Sequence, residues 1–277
     1  MNQQYSETII EPANRLSLNF KELWGYRELF YFFTWRDIKV KYKQTVLGVF
    51  WVMLQPLFMM LIFTFFFGQM FEVGSDSIPY PVFAFSGLLL WNFFSASVTN
   101  SGNSMVLNAP IIKKIYFPRL IIPLSSILAS LIDLVVSLFL FVIFIFFFPV
   151  TIDIVNLILF WPLAFLLAFV GAVGLGCWLS ALMVKYRDFR FVVPFMIQIG
   201  FFVTPVVYPF SRVQLPALKY ILALNPMYGA ITLFRIPLTA NVPDTMLIMM
   251  SIFSALLLLF VGMTYFKKTE LFFADLA

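Results

Sequence analysis

The chain reads as six long apolar runs separated by short polar breaks, at about 48–70, 82–106, 119–148, 157–184, 190–207 and 244–266. A helix that crosses a bilayer needs roughly 20 mostly apolar residues, so each run predicts a membrane span. An even number of spans puts both ends of the chain on one side. Between the last two runs, the stretch from Tyr208 to Pro243 carries prolines at 209, 216, 226, 237 and 243. The segments "QLPALKYILAL" and "MYGAITLFRIPL" within it are apolar yet too short to cross. Their length predicts re-entrant or interfacial helices, with a loop resting on the headgroups as the alternative.

Ahead of the first run, residues 21–44 carry a different pattern. As a helix they place Tyr31, Trp35, Ile38 and Tyr42 on one stripe, because steps of four, three and four residues return to nearly the same angle. Arg36, Lys39 and Lys43 form a second stripe beside it. Aromatic tips next to cations predict an amphipathic helix at the membrane surface, facing phosphates or a protein. A strand over "KVKYK" is the weaker reading, because an edge so close to lipid has no evident partner.

Composition agrees with the bilayer as solvent: 62% of the 277 residues are hydrophobic and 11% charged. A soluble core of this size needs far more polar surface. The first 22 residues are polar, without the apolar centre of a cleavable leader, which predicts that they are retained. Charge then orients the chain. Fifteen Lys and Arg fall on the side of the two termini and three, Arg212, Lys219 and Arg235, on the other, which places both termini in the cytoplasm.

Chemistry is thinly represented. Histidine is absent and Cys177 is the single cysteine, which removes the commonest general base, the commonest metal ligand and any thiolate cage. Cys177 is expected to pack as a small apolar residue. No Gly-Lys dipeptide occurs, so the chain has no P-loop, and use of ATP requires a second polypeptide. Asp133 is the one acidic residue near the middle of a span, at a cost of roughly 2.5–3.5 kcal/mol that the surrounding Leu, Ile, Val and Phe outweigh. A structural hydrogen-bonding role is expected for it, with a proton site as the alternative.

Two further patterns lie inside the spans. Asn92, Ser95, Thr99 and Asn103 share a narrow arc of the second span, to line a hydrated pathway or to bond a neighbouring helix. Ala164, Ala168, Ala172, Gly176 and Ser180 form a ridge of small residues in the fourth, suited to close helix packing within the chain or across a dimer. "GAVGLG" in the same run lacks the strand and turn that a nucleotide loop requires.

Four ordered blocks, "RDIKVKYKQTVLGVFWVMLQP", "NAPIIKKIYFPRLIIP", "KYRDFRFVVPFMIQIGFFVTPVVYP" and "LNPMYGAITLFR", resemble the permease subunits of type-2 ABC exporters for bacterial surface polysaccharides, the O-antigen group. The likeness covers nearly the whole chain after about residue 20. It implies an all-α, polytopic membrane protein with six spans, an amphipathic interfacial helix and short re-entrant helices before the last span. The implied parts are a polar cytoplasmic N-terminus at 1–20, the interfacial helix at 21–44, the permease domain at 45–268 and a cytoplasmic tail at 269–277.

The implied function is ATP-driven export of a lipid-linked glycan from the cytoplasm to the outer face of the bacterial inner membrane. The implied assembly is two permeases with two copies of a separate ATPase that carries the ATP and Mg, with no cofactor in this chain and no nucleic-acid partner. Contact with the ATPase falls to three segments: Arg36, Asp37, Lys39, Lys41 and Lys43; Asn108, Pro110, Lys113, Lys114, Tyr116, Phe117, Pro118 and Arg119; and Lys185, Tyr186, Arg187 and Asp188. The outer mouth falls to Asn225, Pro226, Phe234 and Arg235. Thr232 departs from the family pattern, which leads one to expect an acidic residue just before Phe234 and Arg235, so the partner of Arg235 is open. Teichoic acid and capsule exporters are related alternatives. Readings of another class are an ion-coupled lipid flippase, for which Asp133 is the best feature, and a membrane-embedded transferase, which lacks a cluster of catalytic residues.

Overall fold

The computed structural model describes residues 20–43, 48–70, 75, 78–239 and 243–270, and every regular element among them is helical. The polar start at 1–19, Gln44 and the end of the tail, 271–277, lie outside the described residues. Two helices precede the first span, α1 (Phe20–Gly25) and α2 (Arg27–Tyr42). The first span, α3 (Gly48–Phe63), winds on as a π-helix through Thr64–Met70. Then follow α4 (Tyr80–Leu107), the single turn α5 (Ala109–Ile112), α6 (Ile121–Ile145), α7 (Ile154–Lys185) and α8 (Phe189–Val203). The chain ends through α9 (Pro216–Ala223), α10 (Pro226–Arg235) and α11 (Thr245–Glu270).

Among the described residues, five helices are long and apolar enough to cross a membrane. They meet the first, second, third, fourth and sixth predicted runs. The fifth run, expected at 190–207, is shorter than predicted: α8 has 15 residues, about 22 Å of helix against a hydrocarbon core of about 30 Å. The reason is local. A proline disfavours helical geometry at the residue before it, and Thr204, which precedes Pro205, is extended at φ −84°, ψ 137°.

Prolines also set the geometry before the last span. Pro216 and Pro226 each open a helix, where a missing N–H costs nothing. Asn225 caps α10 by accepting the Met227 amide at 3.0 Å, and it donates to the Thr204 hydroxyl at 2.6 Å. Helix α9 and the stretch Pro226–Leu238 meet at 94°, a bent pair as the sequence predicts.

The bundle is built around α4. In its most apolar window 78% of residues are buried, against 11% for the first span. The ridge of small residues in α7 resolves as packing within the chain. Three glycines of "GAVGLG" face three neighbours: Gly171 meets Pro226, Gly174 meets the backbone of α11 at Leu258 and Leu259, and Gly176 meets Ser101 of α4. Cys177, fully buried beside them, packs as an apolar residue. One apolar cluster fills the middle and one end of the bundle. A second, containing Phe33, Met105, Ile112, Phe117, Cys177, Val184 and Phe266, closes the opposite end.

Candidate functional site

That second cluster joins the segments singled out for contact with a partner. Residue Asn108 ends α4 and begins α5, its amide bonding back to the Ser104 carbonyl at 2.8 Å. From there the chain forms a knuckle. Ile112 and Phe117 are buried at its base, while Pro110, Lys113, Lys114, Ile115 and Tyr116 stand exposed. Pro118 is buried and Arg119 half-buried. A cleft of about 230 Å³ lies between Ile112 and Arg119 along this turn.

The knuckle is held from two sides. Phe117 packs on Phe33 of α2 with ring centres 5.6 Å apart, and Arg36 donates to Asn108 Oδ1 at 2.7 Å. Arg119 reaches the end of α11, its amide donating to Glu270 Oε1 at 3.2 Å and its guanidinium to the Glu270 carbonyl. Beside it, Lys185, Tyr186, Arg187 and Asp188 turn the chain between α7 and α8, and all four are exposed, with Lys185 over the Tyr186 ring at 5.1 Å. Three segments far apart in sequence therefore share one end, and exposed cations stud it.

Helix α2 turns the first half of its aromatic stripe outward, as an interfacial helix should. Tyr31 and Trp35 stack on each other at 6.4 Å and face outward, 67% and 45% exposed, while Phe33 turns in and is buried. Lys39 lies over the Trp35 ring at 5.5 Å, and Lys39 and Lys43 are exposed. Asp37, Lys41 and Tyr42 of α2 grip α6. Arg36 pairs with Asp37 at 2.7 Å, and the Ser126 hydroxyl donates to Asp37 Oδ2 at 3.1 Å.

Further along the same face, the Lys41 ammonium donates to Asp133 Oδ2 and the Tyr42 hydroxyl to Asp133 Oδ1. Burial first, and then the bond to the Asp133 carboxylate, raise the Tyr42 phenol above its ordinary range, so it stays a donor. Asp133 is the thirteenth of the 25 residues of α6. An unpaired carboxylate so deep costs several kcal/mol, and the pairing offsets that cost. Sequence reasoning singled out Asp133 and found it no partner, because its partners are 92 and 91 residues away.

A cleft of about 690 Å³ opens between α2, α4 and α6, with Arg36, Lys41, Asn100, Asn103, Ser126 and Ser130 in its walls. Of the polar stripe of α4, Asn103 lines this cleft, and Asn92, Ser95 and Thr99 are half-buried along the same helix. Asn103 donates to its own helix at the Thr99 carbonyl, 2.9 Å, rather than to a neighbour. Asn100, outside the stripe read from sequence, is exposed in the same cleft.

At the far end the residues named for an outer mouth are held inside the bent pair. Pro226 is buried against Gly171, and Phe234 is fully buried, stacked on Trp161 at 4.7 Å. Arg235 is 8% exposed and lies over the Phe83 ring at 3.6 Å. Its guanidinium donates to the Ser86 hydroxyl at 3.0 Å and to the carbonyls of Pro205, Phe83 and Val206 at 3.0, 2.9 and 2.7 Å. Among the described residues, backbone oxygens and the Ser86 hydroxyl accept from this guanidinium. Arg235 also borders a cleft of about 480 Å³ that contains Lys219, Tyr228 and Asp244.

A helical bundle of spans with exposed basic turns gathered at one end, and no nucleotide loop in its sequence, has the build of a membrane subunit served by a separate motor. Residues 28–239 match the family described as ABC-2 type transporter, and the chain belongs to it as a permease, a transport component rather than an enzyme. Membership makes it a multi-pass membrane protein and implies a partner ATPase.

Among named relatives it is 30% identical to the O-antigen export system permease protein RfbA of Klebsiella pneumoniae, over 94% of this chain and 100% of that protein. The protein of the same name from Myxococcus xanthus is 30% identical over 92% of this chain and 97% of its own length. A more distant relative, the polysialic acid transport protein KpsM of Escherichia coli, is 22% identical over 72% of this chain and 77% of its own.

Proposed function

We propose that this chain is the membrane half of an exporter that carries a lipid-linked surface glycan of O-antigen type from the cytoplasm to the outer face of a bacterial inner membrane. Two copies assemble with two copies of a cytoplasmic ATPase. The observation that carries the reading is the convergence of α2, the knuckle at 108–119 and the turn at 185–188 on one basic end of the bundle. That end, with both termini, faces the cytoplasm, in keeping with the excess of Lys and Arg there.

The relatives' names support the cargo, and the polysialic acid relative makes capsule-type glycans the second reading. Asp133 argues against ion coupling, because Lys41 and Tyr42 engage both of its oxygens.

Purification of the tagged permease from its native host in mild detergent should bring down a P-loop ATPase at one copy per permease, read by mass spectrometry. An intact, active permease isolated repeatedly without an ATPase would refute the exporter reading. Reversing Lys39 and Lys43 to glutamate should lower export more than about tenfold, because like charges across an interface cost several kcal/mol. The variant should insert at normal levels, since the cations of the neighbouring loops still orient the chain. Normal glycan export by an inserted Lys39→Glu, Lys43→Glu protein removes α2 from the ATPase contact.

A further inference from the structure

The pairing of α2 with α6 has a direction. Asp37 meets Ser126, and four to five residues later Lys41 and Tyr42 meet Asp133, seven residues further along α6. The two helices therefore run side by side in the same sense, and the C-terminal end of α2 reaches the midpoint of a span. Nearer its start, α2 touches the knuckle through Phe33 and Arg36. One helix thus connects the exposed basic end with the centre of α6. Lys41 is 40% exposed and Asp133 14%, so the ion pair lies at the inner margin of the 690 Å³ cleft and is shielded on the α6 side. Arg36 and Lys41 are each matched by a carboxylate, Asp37 and Asp133, which leaves the cleft without an excess of positive charge for an anion.

We propose that Asp133 is a positioning residue for transport: its carboxylate, held by Lys41 and Tyr42, fastens α2 to the third span, so that displacement of α2 at the cytoplasmic end moves α6. The proposal rests on the exporter reading and adds to it the path from the ATPase contact to a span. A charge at mid-span is retained because it gives α2 one register on α6. Apolar packing alone would let the two helices slide, whereas a carboxylate gripped from both oxygens fixes depth and rotation together. The flanking contacts, Asp37 with Ser126 and Arg36 with Asn108, are nearer the surface and assist the same register.

The test uses the permease with its partner ATPase in native membranes and compares Asp133→Asn, Lys41→Asp and the exchange Lys41→Asp with Asp133→Lys. Each single variant should lose export at least tenfold while the ATPase still co-purifies and still hydrolyses ATP. The exchange should recover export to at least severalfold above either single variant. A purely structural role lowers the amount of assembled complex, not the ratio of transport to hydrolysis. Normal export by Asp133→Asn overturns the proposal, as does an exchange variant that accumulates and exports no better than the single ones. If a single variant fails to accumulate, the exchange variant alone decides, by exporting or not. Failure of the exporter reading looks different: wild-type membranes then yield no ATPase at all.

Discussion

Replacing Gly262 with leucine is expected to separate the last span from α7 and to lower the thermal midpoint of the purified permease by roughly 6–12 °C. A Cβ at Gly262 runs into the Gly174 carbonyl oxygen and stands 2.9 Å from its carbon. Both obstructing atoms are backbone, so no side chain can rotate away, and the helices themselves must move. Overpacking of this kind costs about 3 kcal/mol, and on the scale of soluble domains each kcal/mol shifts the midpoint by about 2–4 °C. Gly174 repeats the constraint from the other side, with Leu259 N only 2.5 Å from its own Cβ position. Gly25 is the control, since a Cβ there meets nothing within 4 Å. Melting followed by size-exclusion profile should leave Gly25→Leu at the wild-type midpoint. Equal melting of the two variants removes close backbone contact as the tie between α7 and α11.

Arg235→Met is expected to do comparable damage at the other end. Methionine keeps the apolar stem over Phe83 and removes the donors to the Ser86 hydroxyl and to the carbonyls of Pro205 and Val206, while the Phe83 carbonyl keeps the Ser86 hydroxyl as a donor. Each acceptor left without a donor in the interior costs about 1–3 kcal/mol, and the set together is expected to cost about 3–5 kcal/mol. Space is equally restricted. A Cβ at Gly87 comes within 2.7 Å of the guanidinium and 2.5 Å of the Val206 carbonyl oxygen, so α4 gives way to the arginine at that point.

Lysine is no remedy for this loss. A planar fork reaches acceptors in several directions at once, whereas an ammonium is a single point with three donors. Both Arg235→Met and Arg235→Lys should therefore melt well below wild type and export little. An Arg235→Lys protein with wild-type stability and transport shows that charge, and not the fork, is what this site requires.

The six apolar runs were legible because hydropathy is local, and the bilayer demands it residue by residue. The bend before the last span was legible for the same reason: Pro216, Pro226 and Asn225 act on the backbone beside them. What the sequence did not show lies in partners brought from afar. The aromatic stripe of α2 gave the outward face at Tyr31 and Trp35, but periodicity does not say what the opposite face meets, and the inward residue there is Phe33. Asp133 stood alone by composition, and its partners arrive from 92 and 91 residues upstream. The carbonyls that Arg235 meets were invisible too, because a sequence advertises side chains, while carbonyls, present at every position, advertise nothing. The ridge in α7 was read at every fourth residue, yet the tightest approach is at Gly174, two residues off that ridge, where only backbone geometry reveals it.

The clamp of Arg119 by Glu270 ties the order of synthesis to the finished protein. The two residues are 151 positions apart, and Glu270 is the last residue of the final helix. At about 5–20 residues per second, the knuckle waits roughly 8–30 seconds after it is made before its clamp emerges from the ribosome. During that interval the contacts available to the knuckle are those made upstream, Phe117 with Phe33 and Asn108 with Arg36. A chain broken off by a premature stop just before Glu270 keeps all the spans and lacks the clamp. The Arg119 side of the knuckle thus takes one of its contacts from the end of the last span, so that contact forms only in chains read through that helix.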